Sequence, residues 1–227
     1  MTKRLCRQIG FGKPLLFWGF SLAFGLSRRT SMCSALSSHI LSLLYNQYYF
    51  IFAILPILLF FCGSVMEDDP IIFVLRYGSY KHYFTSKWRS LGVLCSGLWL
   101  GQITILFVTG AGLSVIKQGW DNFSGSSLLK EIAPLLVKSF PGAWVAVFCA
   151  AVYMLMGYWL IALLTLWLGH FLQRQKAIKV LLALYILTIL SIKLPIMSRP
   201  PFCYLTGINH WVLLLHNLTA GWRFPLT

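Results

Sequence analysis

Charged residues are spaced so widely along this chain that the stretches between them define its elements. Uncharged, mostly apolar stretches cover residues 14–27, 48–66, 90–116, 139–173 and 200–222, and a further apolar run, 180–195, is interrupted only by Lys193. A helix needs about 20 apolar residues to cross a bilayer, so the pattern predicts an all-α membrane protein: a polytopic bundle of about six apolar segments forming a single transmembrane domain over residues 1–227. The fifth segment reaches a usable length by recruiting Ala177 and letting Lys179 and Lys193 snorkel. The last carries Pro200, Pro201, Asn209, His210, His216 and Asn217, a polar load that fits a re-entrant or interfacial hairpin as well as a span. The first is short and follows Lys3, Arg4 and Arg7, the pattern of a signal peptide cleaved near Ala35 or Ser38. No small-x-small site follows it directly, so a retained anchor is the expectation.

Basic residues set the orientation. With alternating sides and a cytoplasmic N-terminus, the inner segments hold Lys3, Arg4, Arg7, Lys13, Arg76, Lys81, Lys87, Arg89, Arg174, Lys176 and Lys179. The outer ones hold Arg28, Arg29, Lys117, Lys130, Lys138, Lys193 and Arg199, and Arg223 belongs to neither group. The excess predicts a multi-pass protein of the cell membrane with its N-terminus inside. Tyr45, Tyr48, Tyr49, Trp88, Trp120, Trp144 and Trp222 lie near segment ends, where an aromatic belt would place them. Sequons at Asn122 and Asn217 fall on outer segments.

Composition agrees. Hydrophobic residues make up 58% and charged residues 11%, against about 25% charged in soluble domains. The net charge of +14 would suggest nucleic acid in a soluble protein, but here the cations anchor helix ends to headgroups of the lipid bilayer, and no nucleic-acid partner is expected. Cys6, Cys33, Cys62, Cys95, Cys149 and Cys203 form no CxxC pair and no metal-ligand spacing; a Cys33–Cys203 bridge on the outer side is compatible with the topology.

The segment 67–89 differs from the other connections. It opens on Glu67, Asp68 and Asp69 followed by Pro70, a helix start with an acidic cap and a first-turn proline. Phe73, Tyr77, Tyr80, Phe84 and Trp88 then recur at helical spacing and stack on one face. Arg76 and Lys87 flank this stripe, Ser79, His82 and Ser86 lie opposite, and Gly78 permits a bend. The pattern predicts a cytoplasmic amphipathic helix between the second and third segments. It either lies in the membrane interface through its aromatics or also presents its polar face to a soluble partner.

A short first span, an outer stretch, a second span ending at Glu67, and a basic amphipathic helix leading through Lys87 into a third span together resemble the permease subunit of a type-two ABC exporter. That resemblance implies that the run containing Glu67, Arg76, Tyr77, Gly78, Ser79, Lys81 and Lys87 is a coupling helix docked on a separate cytoplasmic ATP-binding subunit, with Phe73, Tyr80, Phe84 and Trp88 at the membrane interface. It also implies a homo- or hetero-dimer of membrane subunits. The region 201–222 is similar to the small outer helices that the family carries between its fifth and sixth spans, and the chain departs from the pattern in having no clear sixth span.

Catalytic signatures are missing. Gly12-Lys13 is followed by Pro14 and lacks the upstream glycine of a phosphate-binding loop, and there is no HExxH or GxSxG. His39, His82 and His170 are far apart, and the five acidic residues include one consecutive triplet. The chain is therefore not expected to be an enzyme or to carry a cofactor or metal. Two functions compete: a permease moving a hydrophobic or peptide-like substrate, and a non-transporting immunity, scaffold or assembly protein. Gly97 and Gly101 form a GxxxG suited to a close helix crossing, within the chain or between copies.

Overall fold

The computed structural model describes residues 10, 12–29, 35–64, 78–114, 136–137 and 140–193. Among them the chain is helical, without strands. The acidic triplet, the region 115–135, both sequons, Cys33 with Cys203, and the apolar stretch 200–222 lie outside the described residues.

Helix α1 (Gly12–Ser27) occupies the first apolar run, with Pro14 in its opening turn, where a missing N–H costs no hydrogen bond. Helix α2 (Leu36–Leu44) is a nine-residue helix that the charge pattern did not predict. A parallel β-bridge between Ala35 and Ser114 fixes its start. Asn46 then caps the next helical stretch, its Oδ1 accepting the Tyr49 N–H at 2.9 Å. That stretch runs through α3 (Gln47–Tyr49), a π-helical turn (Phe50–Ile54) and α4 (Leu55–Gly63). The widened turn has an identifiable cause: Pro56 has no N–H to donate, and just before it the Leu55 N–H reaches back five residues to the Phe50 carbonyl.

Helix α5 (Tyr80–Thr109) is continuous from the basic segment into the third apolar run. Nothing between Lys81 and Thr109 breaks a helix, so the amphipathic part from Tyr80 onward and the apolar part form one rod instead of two elements. Its start is set by Gly78, at φ +70°, and by Ser79, whose side chain accepts the His82 N–H at 3.2 Å. Helix α6 (Ala143–Phe171) follows Pro141-Gly142, and α7 (Arg174–Lys193) follows after only Leu172 and Gln173. Helices α5 and α6, of 30 and 29 residues, are long and apolar enough to cross a membrane. At 1.5 Å per residue each is roughly 45 Å long, the thickness of a bilayer with its headgroups.

Contacts give each helix a direction. Trp18 donates its indole N–H to the Leu98 carbonyl at 3.3 Å and Gly25 lies against Thr109, so α1 runs parallel to α5. Helix α6 returns antiparallel. Phe107 stacks on Trp144 at one end, Trp99 Nε1 donates to the Ala151 carbonyl in the middle at 2.9 Å, and Tyr80 meets His170 at the other end. One end of the bundle thus gathers Lys13, Ser64, Tyr80, His170 and Arg174, and the opposite end Arg29, Ala35, Ala111 and Ser114. Phe17, Ile40, Ile54, Leu58, Phe61, Leu91 and Tyr158 fill the space between the helices. The outward faces of α5 and α6 are apolar as well, with Val93, Leu100, Phe148, Met156 and Trp167 all exposed.

The GxxxG glycines serve different ends. A Cβ on Gly101 would overlap the Trp18 indole, whereas one on Gly97 would meet nothing within 4 Å. The close approach is therefore the internal α1–α5 crossing. Gly101→Ala is expected to destabilise the folded protein by about 1–3 kcal/mol through overpacking, and Gly97→Ala to be nearly neutral. Thermal unfolding of the two variants in mild detergent tests the contrast.

Candidate functional site

The core of the bundle contains a continuous chain of polar side chains drawn from four elements. Tyr158 of α6 donates its hydroxyl to Gln102 Oε1 of α5 at 2.5 Å. Gln102 Nε2 donates to the Tyr49 hydroxyl of α3 at 3.2 Å. Tyr49 donates to Ser21 Oγ of α1 at 2.7 Å, and Ser21 closes on the Phe17 carbonyl at 2.9 Å. Ser21, Gln102 and Tyr158 have no exposed surface and Tyr49 almost none. The donors all point one way and the chain ends on a backbone carbonyl, an arrangement that fixes four helical elements against each other and activates no nucleophile.

A second buried polar pair lies at the end of the bundle that holds Arg29. His39 Nε2 is 3.3 Å from Thr109 Oγ1, which also bonds the Leu106 carbonyl. His39 Nδ1 is buried and has no hydrogen-bond partner among the described residues. Burial, and secondarily the Arg29 guanidinium, lower the His39 pKa. Arg29 itself donates to the Ala111 carbonyl at 2.7 Å. Among the described residues no group of three His, Cys, Asp or Glu side chains could hold a metal.

The segment expected to dock a partner lies at the opposite end. Glu67, Phe73, Arg76 and Tyr77 fall outside the described residues. Gly78 and Ser79 form the start of α5, and Ser79, Lys81, His82, Thr85, Ser86 and Arg89 line a polar recess of about 380 Å³ along its first turns. Lys87 is nearly buried, its ammonium 5.8 Å from the Tyr83 ring centroid. Tyr80, Phe84 and Trp88 share one face, as their spacing requires, and that face contacts α6. The Tyr80 hydroxyl is 2.6 Å from His170 Nδ1, the Phe84 ring is 6.5 Å from the His170 ring, and Trp88 meets Trp159 edge to face at 6.4 Å. The stripe therefore joins the start of α5 to the α6–α7 junction, which brings Lys81 and Arg174 to the same end of the bundle.

Comparison with known proteins finds no matching family model, no matching characterised protein and no matching solved structure.

Sequence reasoning missed the polar chain. Its one signal was Gln102, the only amide in the uncharged run 90–116, since a polar side chain inside such a run calls for a partner. Tyr158→Phe is expected to cost about 1–3 kcal/mol by leaving Gln102 Oε1 unpaired in the core, as measured by thermal unfolding.

Protonation of His39 yields a separate prediction. A histidine held below its ordinary pKa of about 6.5 favours the folded state when neutral. The unfolded chain takes up the proton first, so stability is present above about pH 6.5 and is lost as pH falls below it. Melting temperature should drop between pH 7.5 and 5.5, roughly one unit on either side of that value, and His39→Gln should flatten this part of the profile.

Proposed function

We propose that this chain is a multi-pass integral membrane protein of the cell membrane that works as the permease subunit of an ABC-type exporter. It would move a hydrophobic or peptide-like substrate with energy supplied by a separate cytoplasmic ATP-binding subunit. One observation carries the reading: the start of α5, with its polar, basic face, and the α6–α7 junction are pinned together at one end of an up-and-down bundle. This gives a rigid basic platform continuous with the two longest apolar helices. Lys13, Lys81, Lys87, Arg89, Arg174, Lys176 and Lys179 belong to this end, against Arg28 and Arg29 at the other and Lys193 at the far terminus of α7. Such an excess favours a cytoplasmic basic end and a cytoplasmic N-terminus. The apolar outward faces of α5 and α6 support a bilayer environment, and a second membrane subunit would cover part of them.

The filled, hydrogen-bonded centre of the bundle favours a second reading, a non-transporting immunity, scaffold or assembly protein. Purification in mild detergent with mass spectrometry of bound partners separates the two. The exporter reading expects an ATP-binding subunit. Lys81→Glu combined with Arg76→Glu should weaken its binding by about 2 kcal/mol or more, as loss of charge-assisted interface contacts does, while membrane insertion persists. A cysteine placed at Ser79 should be labelled only after cells are opened. Labelling in intact cells removes the proposed orientation, and absence of any ATP-binding partner leaves the second reading.

A further inference from the structure

Helix α2 is held at the Arg29 end of the bundle by contacts that centre on one histidine. At nine residues it is shorter than the roughly 12–15 a helix needs to persist on its own, and Ala35 at its start supplies no side-chain cap. Its place is therefore set by packing. The Leu36 N–H donates to the Ser114 carbonyl at 3.1 Å, the Leu36 and His39 side chains leave no room for a Cβ on Gly110, and His39 Nε2 meets Thr109 Oγ1. His39 has no exposed surface.

The hydrogen bonds fix the state of the ring. Thr109 donates its hydroxyl proton to the Leu106 carbonyl at 3.0 Å, so towards His39 its oxygen can only accept. Nε2 therefore carries the imidazole proton, and Nδ1 carries a lone pair with no partner among the described residues. A second proton can enter only at Nδ1. It would create a buried imidazolium whose new N–H faces no acceptor there, with the Arg29 guanidinium as its charged neighbour. Arg29 is itself held in place by the Ala111 carbonyl. Among the described residues the other titratable groups near α2 point elsewhere: Arg28 lies over the Phe24 ring at 5.5 Å, and Tyr45, at the far end of α2, faces Cys149 of α6. A cation without an acceptor and beside a like charge is strongly disfavoured in a core.

We propose that His39 is an acid-operated latch: a proton taken up at Nδ1 releases α2 from the end of α5 and opens this end of the bundle to solvent. The neutral ring belongs to the closed state and the imidazolium to the open one. Opening is therefore rare above about pH 6.5 and grows by up to about tenfold per pH unit below it. The latch itself rests on neither functional reading. On the orientation proposed above, this end faces away from the cytoplasm, so the acidity it senses is that of the outer side.

Amide hydrogen exchange of the full-length protein in mild detergent tests the latch. It is read by mass spectrometry at pH 7.5 and 5.5, about one unit either side of the ordinary imidazole value, and corrected for the intrinsic pH dependence of exchange. Protection over residues 36–45 should fall about tenfold between the two conditions, while residues 95–106 stay the better protected at both. His39→Gln, whose amide can still donate to Thr109, should abolish the response of 36–45; His170→Gln, at the opposite end, should keep it. Unchanged protection of 36–45 in the wild-type protein would overturn the proposal. Equal protection of 36–45 and 95–106 would mean that α2 opens only with the whole bundle, and would overturn it too, as would a full response in His39→Gln. Slower exchange of 36–45 at pH 5.5 would mean that a carboxylate such as Asp121 or Glu131, outside the described residues, receives the new N–H and tightens the joint, the reverse of a latch. The wild-type comparisons can overturn the proposal by themselves, whether or not His39→Gln folds.

Discussion

Gln102 is the constraint around which the helices are arranged. A primary amide in an apolar interior costs on the order of 1–3 kcal/mol for each buried polar atom left unpaired, and Gln102 has no exposed surface. Its carbonyl is satisfied by α6 and its amino group by α3, and the tyrosine that accepts from it is in turn held by α1. Apolar packing alone tolerates sliding of one helix past another, because aliphatic contacts are non-directional. Three linked hydrogen bonds between elements do not. The polar chain therefore sets the relative heights of α1, α3, α5 and α6, and the tight α1–α5 crossing at Gly101 and Gly25 follows from that setting.

The two ends of the bundle differ in kind. At the end holding Arg29, small and backbone contacts dominate: the Ala35–Ser114 bridge, the arginine on the Ala111 carbonyl, and Gly110 lying against Leu36 and His39. At the other end, long basic and aromatic side chains meet. The Tyr80–His170 contact ties the start of α5 to the end of α6. Lys13 sits over the Phe60 ring and Lys87 beside the Tyr83 ring, so cations at this end pack on aromatic faces.

The gaps between charges located α1, the α3–α4 stretch, α5, α6 and α7, because a long uncharged run has few alternatives to a buried or lipid-facing helix. The boundaries shifted where capping decided them: Gly78 and Ser79 start α5 ten residues before the apolar run begins. Helix α2 was invisible because Leu36–Leu44 is rich in serine and contains His39, a composition that reads as a loop until tertiary contacts bury it. The spacing of Tyr80, Phe84 and Trp88 correctly put them on one face, but spacing cannot say whether that face meets lipid or another helix. Lys13 and Arg174, far apart in sequence, had no local signature that would bring them together.

The connection of only Leu172 and Gln173 between α6 and α7 bears on how the chain is built. Helix α7 carries Arg174, Lys176, Lys179 and Lys193 in 20 residues, and charges of this kind each add a few kcal/mol to inserting a helix centre on its own. So short a link keeps α7 beside α6 from the moment it leaves the ribosome. In a bilayer, the marginal helix would then enter as the second arm of a hairpin whose first arm is already committed. On the membrane reading proposed above, the order of synthesis would be part of the fold, and a chain cut between the two helices would strand α7 outside the membrane even though every residue is still present.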